Sequence, residues 1–305
     1  MDVSKFHGIF PAFYACYGED GEISAERTRT FAGHLLRKGV QGLYVGGSSG
    51  ECIYHSVEER KKTLENVMAQ VKGKLPVIAH VACNNTRDSQ ELAEHAEHLG
   101  VDAIAAIPPI YFHLPEHAIA RYWNDISDAA PATPFLIYNI PQLAGTALTM
   151  PLFQTMLENP MVIGVKNSSM AVLDIQMFKA AAGEGHVVMN GPDEQFTGGR
   201  ITGADGGIGG TYGVMPELFL RMEEWMEKGE TKRARDIQNA VNGVIYKMCE
   251  AHGNLYAVIK EILRINEKLD IGAVRKPLPA LIPEDEPIVR EAARMIREAV
   301  AEYCG

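Results

Sequence analysis

Phe135-Leu136-Ile137-Tyr138-Asn139-Ile140-Pro141 and Met161-Val162-Ile163-Gly164-Val165-Lys166-Asn167-Ser168 are two short apolar runs joined by a helical connection. Each has the length and composition of a buried strand. Each also carries one reactive side chain near its C-terminal end, Tyr138 in the first and Lys166 in the second. Burial disfavours the charged form of a lysine, so the pKa of Lys166 is expected to fall and a neutral amine to become accessible near pH 7. A neutral amine attacks a keto carbon and forms a Schiff base, and a neighbouring phenol can shuttle the protons. The plainer readings are a lysine that snorkels to the surface and a core tyrosine with a satisfied hydroxyl.

Outward from this pair, β-rich segments alternate with amphipathic helical ones. The expected strands are Ile9–Tyr14, Gly42–Gly46, Val77–Ala82, Ala103–Ile107, the Tyr138 and Lys166 runs, Val187–Asn190 and Ile208–Gly210. Between them, Ser24 caps a helix stopped by Gly39, Ser56-Val57-Glu58-Glu59 is a capping box, and Thr86-Arg87-Asp88 opens a helix ending at Gly100. Further helices are expected over 116–129, 149–157, 173–182 and 194–202, with an eighth starting near Pro216. Eight strand–helix units predict an α/β fold, a (β/α)₈ TIM barrel. Helical pattern over 231–252, 255–267 and 287–303 exceeds what a barrel needs. The expected organisation is a barrel over 1–229 and a C-terminal helical extension over 230–305 packed on it. A doubly wound sheet would want G-x-G-x-x-G after the first strand, where Pro11-Ala12-Phe13-Tyr14 stands.

The 305 residues carry a formal net charge of -10 and are 46% apolar, which suits a large buried core and no nucleic-acid partner. No apolar run approaches a membrane span, and Met1-Asp2-Val3-Ser4-Lys5 has no signal pattern, so a cytoplasmic location is expected. Cys16, Cys52, Cys83, Cys249 and Cys304 are scattered and suit reduced thiols. His95 and His98 share a helix face without a third ligand in a motif with them, so no metal site is expected.

Strand C-termini of a barrel converge on one mouth, and the unusual residues collect there. Gly46-Gly47-Ser48-Ser49-Gly50-Glu51 offers backbone N–H groups and two hydroxyls to a carboxylate or phosphate; the alternative is a simple Gly/Ser turn. Pro108-Pro109-Ile110-Tyr111-Phe112 is a rigid loop presenting aromatic rings, to a ligand or to another subunit. Asp193 and Glu194 either hold sugar hydroxyls or cap the next helix. The glycines of 203–210 imply close backbone approach. An anion cradle, a phenol, a lysine and two carboxylates together suit a 2-keto acid with a hydroxylated tail.

Gly42-Leu43-Tyr44-Val45-Gly46-Gly47-Ser48-Ser49-Gly50-Glu51, Tyr138-Asn139-Ile140-Pro141 and Val165-Lys166 resemble the motifs of the lysine-dependent pyruvate aldolases, the superfamily of N-acetylneuraminate lyase and dihydrodipicolinate synthase. The resemblance runs from His7 to Pro277. It implies catalytic roles for Lys166, Tyr138, Ser49 and Tyr111, the last reaching into a neighbouring subunit's site within a homotetramer. It implies substrate contacts from Ser48, Ser49, Ser168, Gly191, Asp193, Glu194 and Gly210, with no cofactor beyond the lysine itself and no metal. Synthases carry an arginine where Leu143 stands, and Leu143 cannot pair a second carboxylate, so the resemblance leans to the lyase branch. His80-Val81-Ala82-Cys83 and Gly191-Pro192-Asp193-Glu194 lean the same way. Gly210 stands where lyases commonly carry serine, and Pro192 stiffens the tail pocket. The expected reaction is cleavage of N-acetylneuraminate to pyruvate and N-acetylmannosamine. The alternatives are an aldolase or dehydratase for a shorter 2-keto-3-deoxy sugar acid and a keto-acid binding protein.

Overall fold

The computed structural model describes residues 2–305. Eight parallel strands form one sheet: β1 (Gly8–Pro11), β2 (Leu43–Val45), β3 (Val77–His80), β4 (Ala103–Ala106), β5 (Phe135–Asn139), β6 (Val162–Asn167), β7 (Val187–Asn190) and β8 (Gly206–Gly209). Their order is β1-β8-β7-β6-β5-β4-β3-β2. The remaining seam is drawn together by a parallel bridge between Ala12 and Tyr44 and by the Phe13 N–H donating to Tyr44 O at 2.8 Å. The result is the expected (β/α)₈ barrel. Every strand residue is buried, as strands covered on both faces require.

Between the strands run α1 (Ala25–Lys38), α2 (Val57–Val71), α3 (Thr86–Leu99), α4 (Glu116–Ala129), α5 (Pro141–Ala144), α6 (Met150–Leu157), α7 (Val172–Ala182) and α8 (Phe196–Ile201). Ser24 and Ser56 cap α1 and α2 as their sequences predict, and Gly39 (φ +82°) ends α1 in the left-handed conformation. After the barrel come α9 (Pro216–Glu227), α10 (Thr231–Met248), α11 (Leu255–Glu267) and α12 (Glu286–Cys304). α10 packs on α8, α9 and α12, and α11 packs on α12. Among the described residues no helix is long and apolar enough to cross a membrane.

Several element ends differ from the sequence reading. β1 stops at Pro11, yet Phe13, Tyr14 and Tyr17 stay buried beyond it, which is why the apolar run outlasts the strand. β5 stops at Asn139 because Pro141 starts a single helical turn closed by Gly145. Asn85, not Thr86, caps α3. The helix expected over 194–202 divides into a 3₁₀ turn at Asp193–Gln195 and then α8. β8 begins at Gly206, where any Cβ would stand 2.2 Å from Gly8 O; glycines show no periodicity to mark such a strand.

Side chains alternate between the barrel interior and the layer under the helices. The interior cluster holds Phe10, Tyr44, Leu136, Tyr138, Ile163 and Met189, while Val162 and Val165 belong to the outer layer. That alternation breaks in β6: Ile163 faces in, so strict period two would send Lys166 outward. A bulge intervenes, with Phe135 opposite Val162 and the next residue, Leu136, opposite Gly164. The extra residue shifts the phase by one and turns Lys166 inward, opposite Tyr138. Gly164 (φ +137°) makes this possible, since a Cβ there would lie 1.8 Å from Val187 O. Gly164→Ala is therefore expected either to lower the yield of folded protein sharply or to straighten β6 and abolish keto-acid adducts on Lys166. Thermal unfolding and adduct mass spectrometry check this; a stable variant that still forms the adduct overturns the role given to the bulge.

Candidate active site

Lys166 is 4% exposed and is the next-to-last residue of β6, inside the barrel mouth. Its Nζ lies 3.9 Å from the ring centre of Tyr138 and 4.6 Å from that of Tyr44. Burial brings its pKa down to about 7, against which Asp193 acts through space to favour the ammonium. The two ring faces also favour the cation, but weakly beside desolvation. Tyr138 is buried, and desolvation pushes its phenol up to about 12, partly opposed by the hydroxyls of Ser48 and Ser168. His80 packs edge-on to the Tyr138 ring at 5.9 Å. It is held neutral by burial, its pKa down to about 3, with Nδ1 2.9 Å from Gly46 O.

The loop after β2 is a 3₁₀ turn, Ser48–Gly50. Hydrogen bonding within it begins with the Gly50 N–H donating to Gly47 O at 3.0 Å, which leaves the N–H groups of Ser48 and Ser49 for an anion. Successive side chains in such a turn point about 120° apart. The hydroxyl beside the Tyr138 phenol is accordingly that of Ser48, while Ser49 Oγ lies 2.9 Å from Tyr256 OH. The sequence reading gave Ser49 a catalytic role; the loop hydroxyl that bears on the phenol is that of Ser48.

Glu51 closes the loop with φ +55°, a strained value for a carboxylate residue, and is held there from several sides. Tyr17 OH donates to it at 3.0 Å, the Arg275 N–H at 2.8 Å, and the buried Lys260 Nζ at 2.8 Å. Tyr44, Tyr256 and Lys260 are the site-building residues the sequence did not reveal. Tyr256 and Lys260 lie more than 200 residues from their partners, on a helix whose pattern reads as ordinary core packing.

On the far side of the mouth, Gly191 gives Ser168 its room, since a Cβ there would stand 1.9 Å from Ser168 Oγ. Asp193 and Glu194 separate. Asp193 is buried, and its Oδ2 accepts from the N–H and the hydroxyl of Thr211, each at 2.6 Å. Burial raises its pKa to about 6. Glu194 is half-buried. Neither side chain caps the 3₁₀ turn they begin. Leu143 is 64% exposed, and Tyr111 (φ +84°) is 87% exposed beside Phe112, so Tyr111 does not join this chain's own Lys166.

A cavity of about 580 Å³ opens beside the mouth, bordered by Ser48, His80, Leu143 and Tyr256. A larger one of about 840 Å³ lies between residues 17–21 and 257–281 and touches none of Lys166, Tyr138 or the two loop serines. Several of its charges are paired, Arg27 with Glu19 and Asp270, and Arg264 with Glu261. Among the described residues no three His, Cys, Asp or Glu side chains group as a metal site.

The model of the dihydrodipicolinate synthetase family matches residues 5–296. An N-acetylneuraminate lyase of Mediterraneibacter gnavus is 65% identical over 302 residues, covering 99% of this chain and 96% of that protein. The wild-type Ruminococcus gnavus sialic acid aldolase superposes with TM-score 0.97 at 66% identity, covering 98% of this chain and 99% of the other. A catalytic lysine mutant of that aldolase superposes with TM-score 0.98 at 64% identity, covering 99% of each chain.

A lysine at about 7 is about half amine at neutral pH, and only the amine attacks. Trapping of a 2-keto acid on Lys166 with cyanoborohydride is expected to speed up about tenfold per pH unit well below 7 and to level off above it. Asp193→Asn removes the carboxylate that favours the ammonium and should move the midpoint to lower pH. A midpoint near 10.5, the ordinary lysine value, contradicts this reading.

Proposed function

The chain belongs to the dihydrodipicolinate synthetase family, and within it we propose that this enzyme is a lyase that cleaves N-acetylneuraminate to pyruvate and N-acetylmannosamine through a Schiff base on Lys166. The observation that carries the reading is the pairing of Tyr138 with Lys166 across neighbouring strands at the mouth, one a buried phenol and the other a buried amine. The high identity to a lyase over nearly the whole chain supports the substrate.

In this mechanism Ser48 and Ser49 receive the substrate carboxylate. The Lys166 amine adds to the keto carbon of the open-chain sugar acid, and loss of water gives the iminium. Tyr138 rests as a phenol, so it takes the proton of the hydroxyl beyond the scissile bond only while its own proton moves on through the Ser48 hydroxyl, which gives up its proton to water at the mouth and so stays neutral. The carbon–carbon bond breaks, its electrons move to the iminium, and the aldehyde of N-acetylmannosamine leaves. The relay returns the proton to the enamine carbon, and water hydrolyses the resulting imine to pyruvate and free Lys166. Every electron and proton is accounted for without a metal or separate cofactor. Gly191 and Ser168 border the middle of the sugar chain, Glu194 accepts from the tail hydroxyls, and Asp193 partly opposes the effect of burial on the charge of Lys166. Leu143 leaves a carboxylated second substrate without a cationic clamp.

The extension, 230–305, serves the barrel, 1–229, as part of one working unit. Two separate apolar surfaces favour a homotetramer of dimers: Tyr111 and Phe112 after β4, and Leu173, Met177 and Ile201 on α7 and α8. Through the first, Tyr111 completes a neighbour's relay. Five free cysteines suit a reducing compartment, and we place the enzyme in the cytoplasm.

Borohydride reduction with pyruvate is expected to label Lys166 alone, and kcat/KM for N-acetylneuraminate should exceed that for six-carbon 2-keto-3-deoxy acids. Tyr138→Phe should lower kcat about 10²- to 10⁴-fold while leaving pyruvate adduct formation measurable. Adduct on another lysine overturns the mechanism; preference for the six-carbon acids overturns the substrate. Separately, Leu173→Asp with Ile201→Asp should convert tetramers to active dimers in sedimentation, whereas Tyr111→Ala should lower turnover. A monomeric, fully active wild type overturns the assembly.

A further inference from the structure

α11 grips the carboxylate loop at two points. Tyr256 and Lys260 are one helical turn apart and so share a face. Tyr256 OH lies 2.9 Å from Ser49 Oγ, and Lys260 Nζ lies 2.8 Å from Glu51 Oε1, two residues further along the loop. Gly210 leaves this contact its space: a Cβ there would stand 3.2 Å from Tyr256 OH and 3.3 Å from Ser49 Oγ. The backbone of Gly210 is itself fixed, because Tyr14 OH donates to its carbonyl at 2.7 Å.

The direction of the Tyr256–Ser49 bond follows from counting protons. A serine hydroxyl has one proton to give. When Ser49 donates it to a carboxylate in the cradle, it has none for Tyr256, so the bond between them must run from the Tyr256 O–H to Ser49 Oγ. A buried phenol, disfavoured as its anion by desolvation, suits that donor role. Donation into Ser49 polarises its O–H and fixes its rotamer, which strengthens the next bond in the chain.

We propose that Tyr256 is a positioning residue for substrate recognition, committing the Ser49 hydroxyl as a donor to the substrate carboxylate, so that the C-terminal extension takes part in binding. The proposal rests on the reading of Ser48 and Ser49 as the carboxylate cradle.

The test uses the full-length enzyme, Tyr256→Phe, Ser49→Ala and the double variant. It reads the half-saturating concentrations of pyruvate and of its methyl ester in reductive trapping on Lys166, with kcat for the sugar acid. Tyr256→Phe is expected to raise the pyruvate value several-fold, to raise the ester's value distinctly less because its carbonyl accepts without a charge, to change kcat less than twofold, and to add nothing to Ser49→Ala. Gly210→Ala, which wedges a methyl against both hydroxyls, provides an independent arm with the same expected selectivity and covers a Tyr256→Phe chain that fails to fold. Equal weakening toward pyruvate and ester, or an effect that persists without the Ser49 hydroxyl, overturns the proposal in favour of a purely structural tyrosine. Loss on Ser49→Ala with none on Tyr256→Phe overturns Tyr256 alone. A wild type that treats pyruvate and its ester alike overturns the cradle and the proposal with it.

Discussion

An amine held out of water is the condition on which this molecule depends. The interior of the barrel surrounds Lys166 with the rings of Tyr44 and Tyr138, and the carboxylate that bears on it, Asp193, acts through space. A close ion pair would restore the ammonium and end its nucleophilicity. A fully apolar wall would drive the pKa far below neutrality and leave a poorly hydrated group with no way to recharge during turnover. The arrangement lies between these limits. Asp193 is engaged by Thr211, so it exerts a field on the amine without folding over it. Closure of the sheet thus does more than shape a pocket; if Lys166 acts as proposed, the low-dielectric interior is itself part of the reagent.

The opposite wall of the site obeys a different rule. There a strained loop is pinned by charge. Glu51, in a left-handed conformation, is met by Lys260 and by donors from Tyr17 and Arg275. A buried pair of this kind is weak evidence for added stability, since desolvating two ions consumes most of their attraction. Its value is geometric: removing one partner leaves the other a buried charge without its counter-ion, which disfavours other positions of the loop. The helices beyond the barrel thereby hold the serines in register with the strands.

Sequence and structure agree where a local rule decides the outcome. The capped helices α1 and α2, the strand–helix alternation, and a lysine and phenol at adjacent strand ends all follow from patterns within a dozen residues. The features that escaped depend on distant partners or on backbone geometry. Period two in β6 places Lys166 outside the barrel if Ile163 is inside, and only the Gly164 bulge reverses this. Ser48 and Ser49 are chemically alike, and the 3₁₀ turn alone decides which meets Tyr138 and which meets Tyr256. Asp193 and Glu194 read as equals, yet one is sunk beside Thr211 and the other stays near the surface.

The register that sets Tyr138 opposite Lys166 also divides the molecule into parts that can change at different rates. Lys166 and Tyr138 are spaced by a hydrogen-bonded ladder in the sheet, and no loop enters that spacing. The positions proposed to meet the rest of the substrate sit elsewhere, after β7 and on the short turn of α5. Under the proposed function, substitutions at those positions would change the acceptor aldehyde and leave the Lys166–Tyr138 pair as it stands. A sheet register, rather than any loop sequence, is then what would keep such variants to one chemistry.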